Sequence, residues 1–523
     1  MKKLVALFLL LAMTMTLVPS AIAEEIALPL TTEPVTITIA VARHSSDAVE
    51  DFNTKYAIAE AEKATGVHIE WIPVTEGNDE QVATLLAGDM PDVFLGLLTD
   101  ALVSQNASLF VPTEDLIETY CPNIFATYEE SVPDWRTFLT YPDGHMYGLI
   151  ANYRAAYNNS IDGTMWIRQD WLDNLGLEVP TTLAELEEVL IAFRDQDADG
   201  DGDPSNEIPW DWCQKHYAAK YYEMAHMFGS TLEENGMFDI VDGTVVPVAN
   251  TENFRTVLEY MHKLVSEGLL NVEGITQTEE QYFANISNGL VGVFTGWAPY
   301  TYTSDPELQA KYVSVGPLAA DGCTYRTMPN TLTANRNGFV ITTACENVEL
   351  ALRWWNYLSR DVVATHTARS GPEGLIWEMV DGVPTSRSYT AEEATEFGYG
   401  DLAGHAGTST FAASMGLTNC PPLIVDSLAP APGTTSAIRQ QAVKQYEPFF
   451  TPQSMAKGVV PTDAQEEFDF TCEGLEDAID SYAADAILNG VTDASWNAYL
   501  QQLDSLNYDF YIEFYQHKLD GSF

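Results

Sequence analysis

Positive charge is the scarcest thing in this chain. Its 523 residues hold 24 Lys and Arg against 76 Asp and Glu, a formal net charge of −52. A field of that sign repels phosphodiesters and anionic headgroups, which argues against nucleic acid as a partner. It also favours a neutral ligand over a uronate or a sulfated one. Cysteine is dispersed: Cys121, Cys213, Cys323, Cys345, Cys420 and Cys472 include no C-x-x-C pair, so a zinc site is not indicated. Their pairing stays open. The nine histidines form no ligand-spaced cluster, and no G-x-S-x-G, H-E-x-x-H or phosphate-binding loop occurs. Carboxylate pairs, the requirement for glycoside hydrolysis, arise by chance among so many acids and carry no information.

Long apolar runs are also missing, with one exception. Lys2 and Lys3 precede the apolar stretch Leu4 to Val18, and Ala21-Ile22-Ala23 follows as an A-x-A cleavage site. This reads as a Sec-type signal peptide over residues 1–23. The expected product is exported, periplasmic or at the cell surface. No cysteine follows the apolar run, so no lipid-attachment site is expected.

What remains reads as alternating strands and helices. VTITIAVAR (Val35 to Arg43) and VHIEWIPV (Val67 to Val74) are strands, with a helix between them from about Val49 to Thr65. A helix and a short strand near Asp92 to Leu95 follow. This order predicts an α/β fold with mainly parallel sheets covered on both faces. Ligands of such sheets sit beyond the carboxyl ends of the strands, here near Arg43, His44 and Ser45 and near Gly96 to Asp100. Thr182 and Glu185 form a capping box, after which Leu183, Leu186, Leu190 and Phe193 follow helical spacing. Further helices are expected over Glu252 to Glu267, Val348 to Ser359 and through Trp496 and Tyr511; Ser370 to Pro432 reads mostly as loop.

Directly off the Leu183 helix comes DQDADGDGDPSNE, with aspartates at 195, 197, 199, 201 and 203. Like charges this close repel unless water or a cation separates them. Calcium takes six to eight oxygens, and acids alternating along a Gly-rich loop can converge on one ion. Two EF-hand-like registers fit: one starts at Asp195 and reaches Asn206, the other starts at Asp197 and reaches Glu207. Ile208-Pro209 precludes a second EF-hand helix, so the loop is expected to be a structural staple. It is single, which excludes a dockerin-like adhesion module with its duplicated loop.

Several phrases together resemble the bacterial ABC-transporter extracellular solute-binding proteins, family 1, in the LplA-like, carbohydrate-type branch. They are ATGVHIEWIPV, LLAGDMPDVF, VPTEDLIETYCPNI, DGHMYGLI, MWIRQDWLDNLGLEVPTTLAELEEVLIAF, DADGDGDPSNEIP, LVSEGLL, GLVGVFTGW and WNAYLQQLDSLNYDFYIEFYQHKLD, in order over nearly the whole chain. The resemblance implies a type II two-lobed periplasmic-binding-protein fold, closing on its ligand through a multi-strand hinge. Residues 24–150 with 316–360 would form the N-terminal lobe, and 151–315 with 361–523 the C-terminal one. It implies a monomeric, non-enzymatic receptor that binds a carbohydrate, a neutral oligosaccharide, between the lobes and delivers it to a membrane permease. A receptor for a peptide or other non-sugar solute is the alternative, a secreted glycan-active enzyme the more distant one. It favours the second calcium register, with Asp197, Asp199, Asp201, Asp203, Asn206 and Glu207 as ligands. Sugars present apolar faces to aromatic rings and hydroxyls to polar groups. In similar proteins the tryptophan after the GLVGVF strand stacks on sugar, which singles out Trp297, with Tyr300 behind it. Asn152, Tyr153 and Arg154 are expected at the lobe crossing, His44 at a strand end, and Trp377 on a loop near the cleft.

Overall fold

A computed structural model describes the chain apart from residues 1–25, 44–46, 76, 133, 152–160, 162, 232–236, 328–334, 406–416, 418–427, 432–434 and 452–457. The expected signal peptide lies outside the described residues. Among those described, no helix is long and apolar enough to cross a membrane.

The β-branched run at the start folds as expected. Strands β1 (Val35–Arg43), β2 (Val67–Thr75), β3 (Val93–Leu95), β4 (Gly148–Ala151) and β11 (Asn335–Ile341) form one sheet in the order β2-β1-β3-β11-β4. Ile37, Ile39 and Val41 point to one apolar layer, with Ile58, Ala61, Trp354 and Trp355 of flanking helices. Ala40 points to the other, with Val74, Phe94, Phe110 and Tyr147. Period-two alternation therefore buries β1 on both faces.

The second sheet contains β5 (Thr164–Arg168), β6 (Ile208–Asp211), β9 (Val291–Gly296) and β10 (Tyr312–Val315) in the order β10-β5-β9-β6. Met165 and Ile167 enter a core with Leu186, Leu190 and Phe193 and the C-terminal residues Trp496, Tyr499 and Tyr508. Trp166, between them in sequence, enters the opposite layer with Phe294, Tyr282 and Tyr302. Two hairpins, β7 (Phe238–Val241) with β8 (Thr244–Pro247) and β12 (Trp377–Val380) with β13 (Val383–Ser386), complete the strands among the described residues.

Both sheets are mixed, each with one reversed strand: β11 runs antiparallel to β3 and β4, and β5 antiparallel to β9 and β10. The reason is connectivity, because β11 returns from the second sheet in the opposite sense. Past Arg360 the chain still packs near the first sheet. Ala368 and Leu417 lie in the first sheet's core, and Tyr56 packs on the cluster holding Trp377. Leu318 and Tyr325 lie in the core beside the second sheet. Finally, the β12–β13 hairpin and a helix at Ala391–Glu396 stand where mostly loop was expected.

One position in β9 is tightly constrained. A Cβ on Gly292 would lie 2.5 Å from the Phe193 ring and 2.8 Å from that of Trp171. Gly292→Ala should cost about 1–3 kcal/mol through overpacking, read as a lower midpoint in chemical denaturation. An unchanged midpoint would contradict this approach of the two rings to the strand.

Candidate functional site

β6 and β9 are parallel, with Trp210 opposite Val293 and Asp211 opposite Phe294. β5 is antiparallel to β9 and places Thr164 opposite Gly296. The carboxyl ends of β6 and β9 and the start of β5 therefore share one edge, where ligands of open α/β sheets bind. A notch opens there, lined by Met165, Trp210, Trp212, Lys220, Glu223 and Tyr325 among others.

Trp297 sits at this edge, the first residue past β9. Its peptide N–H donates to Tyr302 Oη at 3.0 Å, and its indole N–H to Tyr300 Oη at 2.9 Å. Its carbonyl accepts from Arg439, whose guanidinium carbon lies 3.4 Å from the ring centroid. The same guanidinium donates to the Ile161 carbonyl at 2.5 Å. All the polar atoms of Trp297 are thus engaged within the protein. What the half-buried side chain retains for a ligand is apolar ring surface.

The loop after β6 is held by a buried carboxylate. Asp211 accepts from Asn271 at 2.8 Å, Gln277 at 2.9 Å, Asn285 at 3.0 Å and the Trp212 amide at 2.9 Å. Burial pushes its pKa up, and the four donors oppose that shift. Beyond it, His216 is buried and Tyr217 is 48% exposed.

The sequence expectations separate cleanly. Trp297 and Tyr300 stand together at the edge. Trp377 is fully buried, with its indole N–H bonded to the Gly371 carbonyl at 3.0 Å, and offers no ring face to a ligand. Its WEMV strand pairs with VPTS, and the tryptophan fills the core beneath that hairpin. His44, Asn152, Tyr153 and Arg154 lie outside the described residues. Arg439, Tyr302, His216 and Tyr217 were not anticipated. Pro299 opens the short Pro299–Tyr302 helix, which is only a weak local signal for Tyr302, and Arg439 carries no local signature at all.

The aspartate loop lies at the opposite end of β6. Asp195 is spent on a two-pronged pair with Arg194, at 2.7 and 2.9 Å, which disfavours the register starting there. Asp197 caps the loop by accepting from the amides of Gly200 and Gly202, each at 3.0 Å. Asp197, Asp199 and Glu207 can each bring an oxygen within 4.8 Å of the others. Glu207 Oε2 and Asn206 Oδ1 are buried without a hydrogen-bond partner. Buried oxygens without donors are costly unless a cation or water satisfies them, so the donor set fits a hard divalent ion. Asp201 and Asp203 are turned to local bonds, with the Asn206 amide at 2.8 Å and the Ser205 hydroxyl at 2.6 Å.

Comparison with known proteins agrees with this architecture. The chain is 27% identical to the fructooligosaccharide ABC transporter substrate-binding protein FusA of Streptococcus pneumoniae over 315 residues, 58% of this chain and 57% of that protein. It is 27% identical to the polygalacturonan/rhamnogalacturonan-binding protein YtcQ of Bacillus subtilis over 246 residues, 46% of each. The chain thus spans about half the length of these curated relatives. Among solved structures, FusA in complex with kestose superposes with a TM-score of 0.73 at 23% identity, covering 93% of this chain and 99% of that one. An EF-hand mutant of FusA in complex with fructo-nystose superposes with a TM-score of 0.72 at 22% identity, covering 93% and 99%. A human-milk-oligosaccharide (HMO) binding protein associated with an ABC transporter, from Bifidobacterium longum infantis, gives 0.75 at 23% identity, covering 93% and 98%. These neighbours carry the type II two-lobed fold. The family model for bacterial extracellular solute-binding proteins matches residues 46–364, more than half of the chain, and the protein belongs to that family.

Proposed function

We propose that this protein is the extracytoplasmic receptor of an ABC importer and binds a neutral oligosaccharide between its lobes. The observation that carries the reading is Trp297. It stands at the carboxyl edge of the second sheet with its polar atoms tied to Tyr302, Tyr300 and Arg439, and it retains apolar ring surface. Such a surface suits the C–H face of a pyranose or furanose ring. The sugar-binding relatives and the deficit of basic residues point the same way. Among the described residues, those within 26–151 and 335–417 form the first lobe, and those within 164–325, 435–451 and 461–520 most of the second. The first 23 residues direct export, and the partner is a membrane permease. No turnover is involved.

The aspartate loop is a calcium staple. Asp197, Asp199 and Glu207 hold the ion, with Asn206 Oδ1 beside them. It ties the end of the Leu183–Asp195 helix to the start of β6, away from the Trp297 edge. A solved FusA structure is of an EF-hand mutant, which supports reading this EF-hand-like loop as a cation site.

Two experiments test these readings. Protein from Glu24 onward should be titrated with kestose, nystose, lacto-N-tetraose, oligogalacturonides and short peptides by calorimetry. A neutral glycan should bind stoichiometrically without breakdown, and Trp297→Ala should weaken it by about tenfold or more. Binding of peptides alone, or release of cleaved sugar, would overturn the receptor reading. Separately, chelation with EGTA should lower the melting temperature by several degrees, and calcium should restore it. Glu207→Gln combined with Asp197→Ala should abolish that response. Identical melting of the wild type with and without calcium would exclude the staple.

A further inference from the structure

Behind Trp297 the bond to Tyr302 continues into two further hydrogen-bond links that the receptor reading does not use. The Trp297 peptide lies one residue past the β9 ladder, whose last pair is Thr164 with Gly296. Its N–H donates instead to Tyr302 Oη at 3.0 Å. Tyr302 Oη lies 2.9 Å from His216 Nε2, and His216 Nδ1 lies 2.8 Å from Glu279 Oε1. An amide can only donate, so the Tyr302 oxygen accepts from Trp297. Its own proton is left for His216 Nε2, and in that arrangement Nδ1 donates to the Glu279 carboxylate and every link has one donor and one acceptor.

The surroundings fit a built device. The imidazole is 2% exposed and is enclosed by the rings of Tyr282, Phe283 and Tyr302, with centroids 5.4–5.6 Å away. Gly296 has no side chain where Tyr302 needs room: a Cβ there would collide with the phenol oxygen. Leucine and phenylalanine at 216 and 302 would fill the same space without burying two polar side chains. What the polar chain adds is a fixed address for one backbone amide.

We propose that His216 and Tyr302 are positioning residues for Trp297: the Glu279–His216–Tyr302 chain holds the peptide at the end of β9 and so sets the pose of the indole. Its consequence for binding rests on Trp297 being the ligand plate, whereas the brace itself does not. Tyr302→Phe deletes one oxygen and keeps the ring. In that variant, hydrogen exchange of the Trp297 amide should accelerate by about tenfold, the loss of one hydrogen bond, while the amides of Val291 to Phe294 stay protected. His216→Asn should do the same, and it serves if Tyr302→Phe does not fold. This measurement needs no ligand, and an unchanged Trp297 exchange rate in both variants overturns the brace.

Calorimetry with whichever of kestose, nystose and lacto-N-tetraose binds then completes a double-mutant cycle. Tyr302→Phe should weaken binding several-fold in the wild type and have no further effect in a Trp297→Ala background. Equal weakening in both backgrounds would overturn positioning through Trp297. Full affinity of Trp297→Ala itself would sink the ligand-plate reading, while the exchange data would still decide the brace.

Discussion

The second lobe depends on β9 being buried on both faces. Its residues Val291 to Phe294 are inaccessible, and Gly292 and Gly296 leave room for rings that press directly on the backbone. A strand fixed this way cannot slide or tilt without disturbing Phe193, Trp171 and Tyr302 together. Its carboxyl end is therefore a rigid place from which to present a side chain. Trp297 stands there, and Arg439, Tyr300 and Tyr302 consume its polar atoms. A site on such a scaffold is preorganised, so ordering costs on binding are small.

Charge organises the rest. With acids outnumbering bases threefold, most carboxylates have no cation to meet. The chain handles the expensive ones locally. Asp211 is buried among amide donors, Asp170 is paired with Arg168 at 2.7 Å, and Asp47 meets the buried Lys55 at 2.7 Å. The loop from Asp197 to Glu207 is different. Its backbone amides satisfy some oxygens, yet Glu207 Oε2 and Asn206 Oδ1 stay without donors. β6 runs from this loop to the Trp210–Asp211 edge, so one short strand joins the acidic loop to the candidate site.

Much of this was legible in the sequence. β-branched alternation gave β1 and β2 to within a residue, and helical spacing gave the Leu183 helix. Its capping box was half right: Thr182 caps the Glu185 amide, but the Glu185 carboxylate turns to Thr181. Trp297 was singled out by the resemblance, since in similar proteins the tryptophan after this strand stacks on sugar; the local Thr-Gly-Trp pattern alone only places it past the strand end. Other features were not legible, for physical reasons. Strand direction depends on which lobe the chain has just left, which no local pattern encodes, so the reversed strands β5 and β11 had no sequence signal. Trp377 and Trp297 are the same residue in similarly polar contexts; only tertiary packing makes one core and the other edge. Arg439 reaches the Trp297 carbonyl from 142 residues away, beyond the range of any periodicity.

The central claim is that an oligosaccharide lies against the indole at the end of β9. A crystal structure of the protein with the tightest-binding glycan of the panel tests it most directly. A sugar ring parallel to the Trp297 indole at van der Waals distance, with both lobes contacting the glycan, is the predicted result. A glycan bound elsewhere, with Trp297 making no contact to it, would contradict the account.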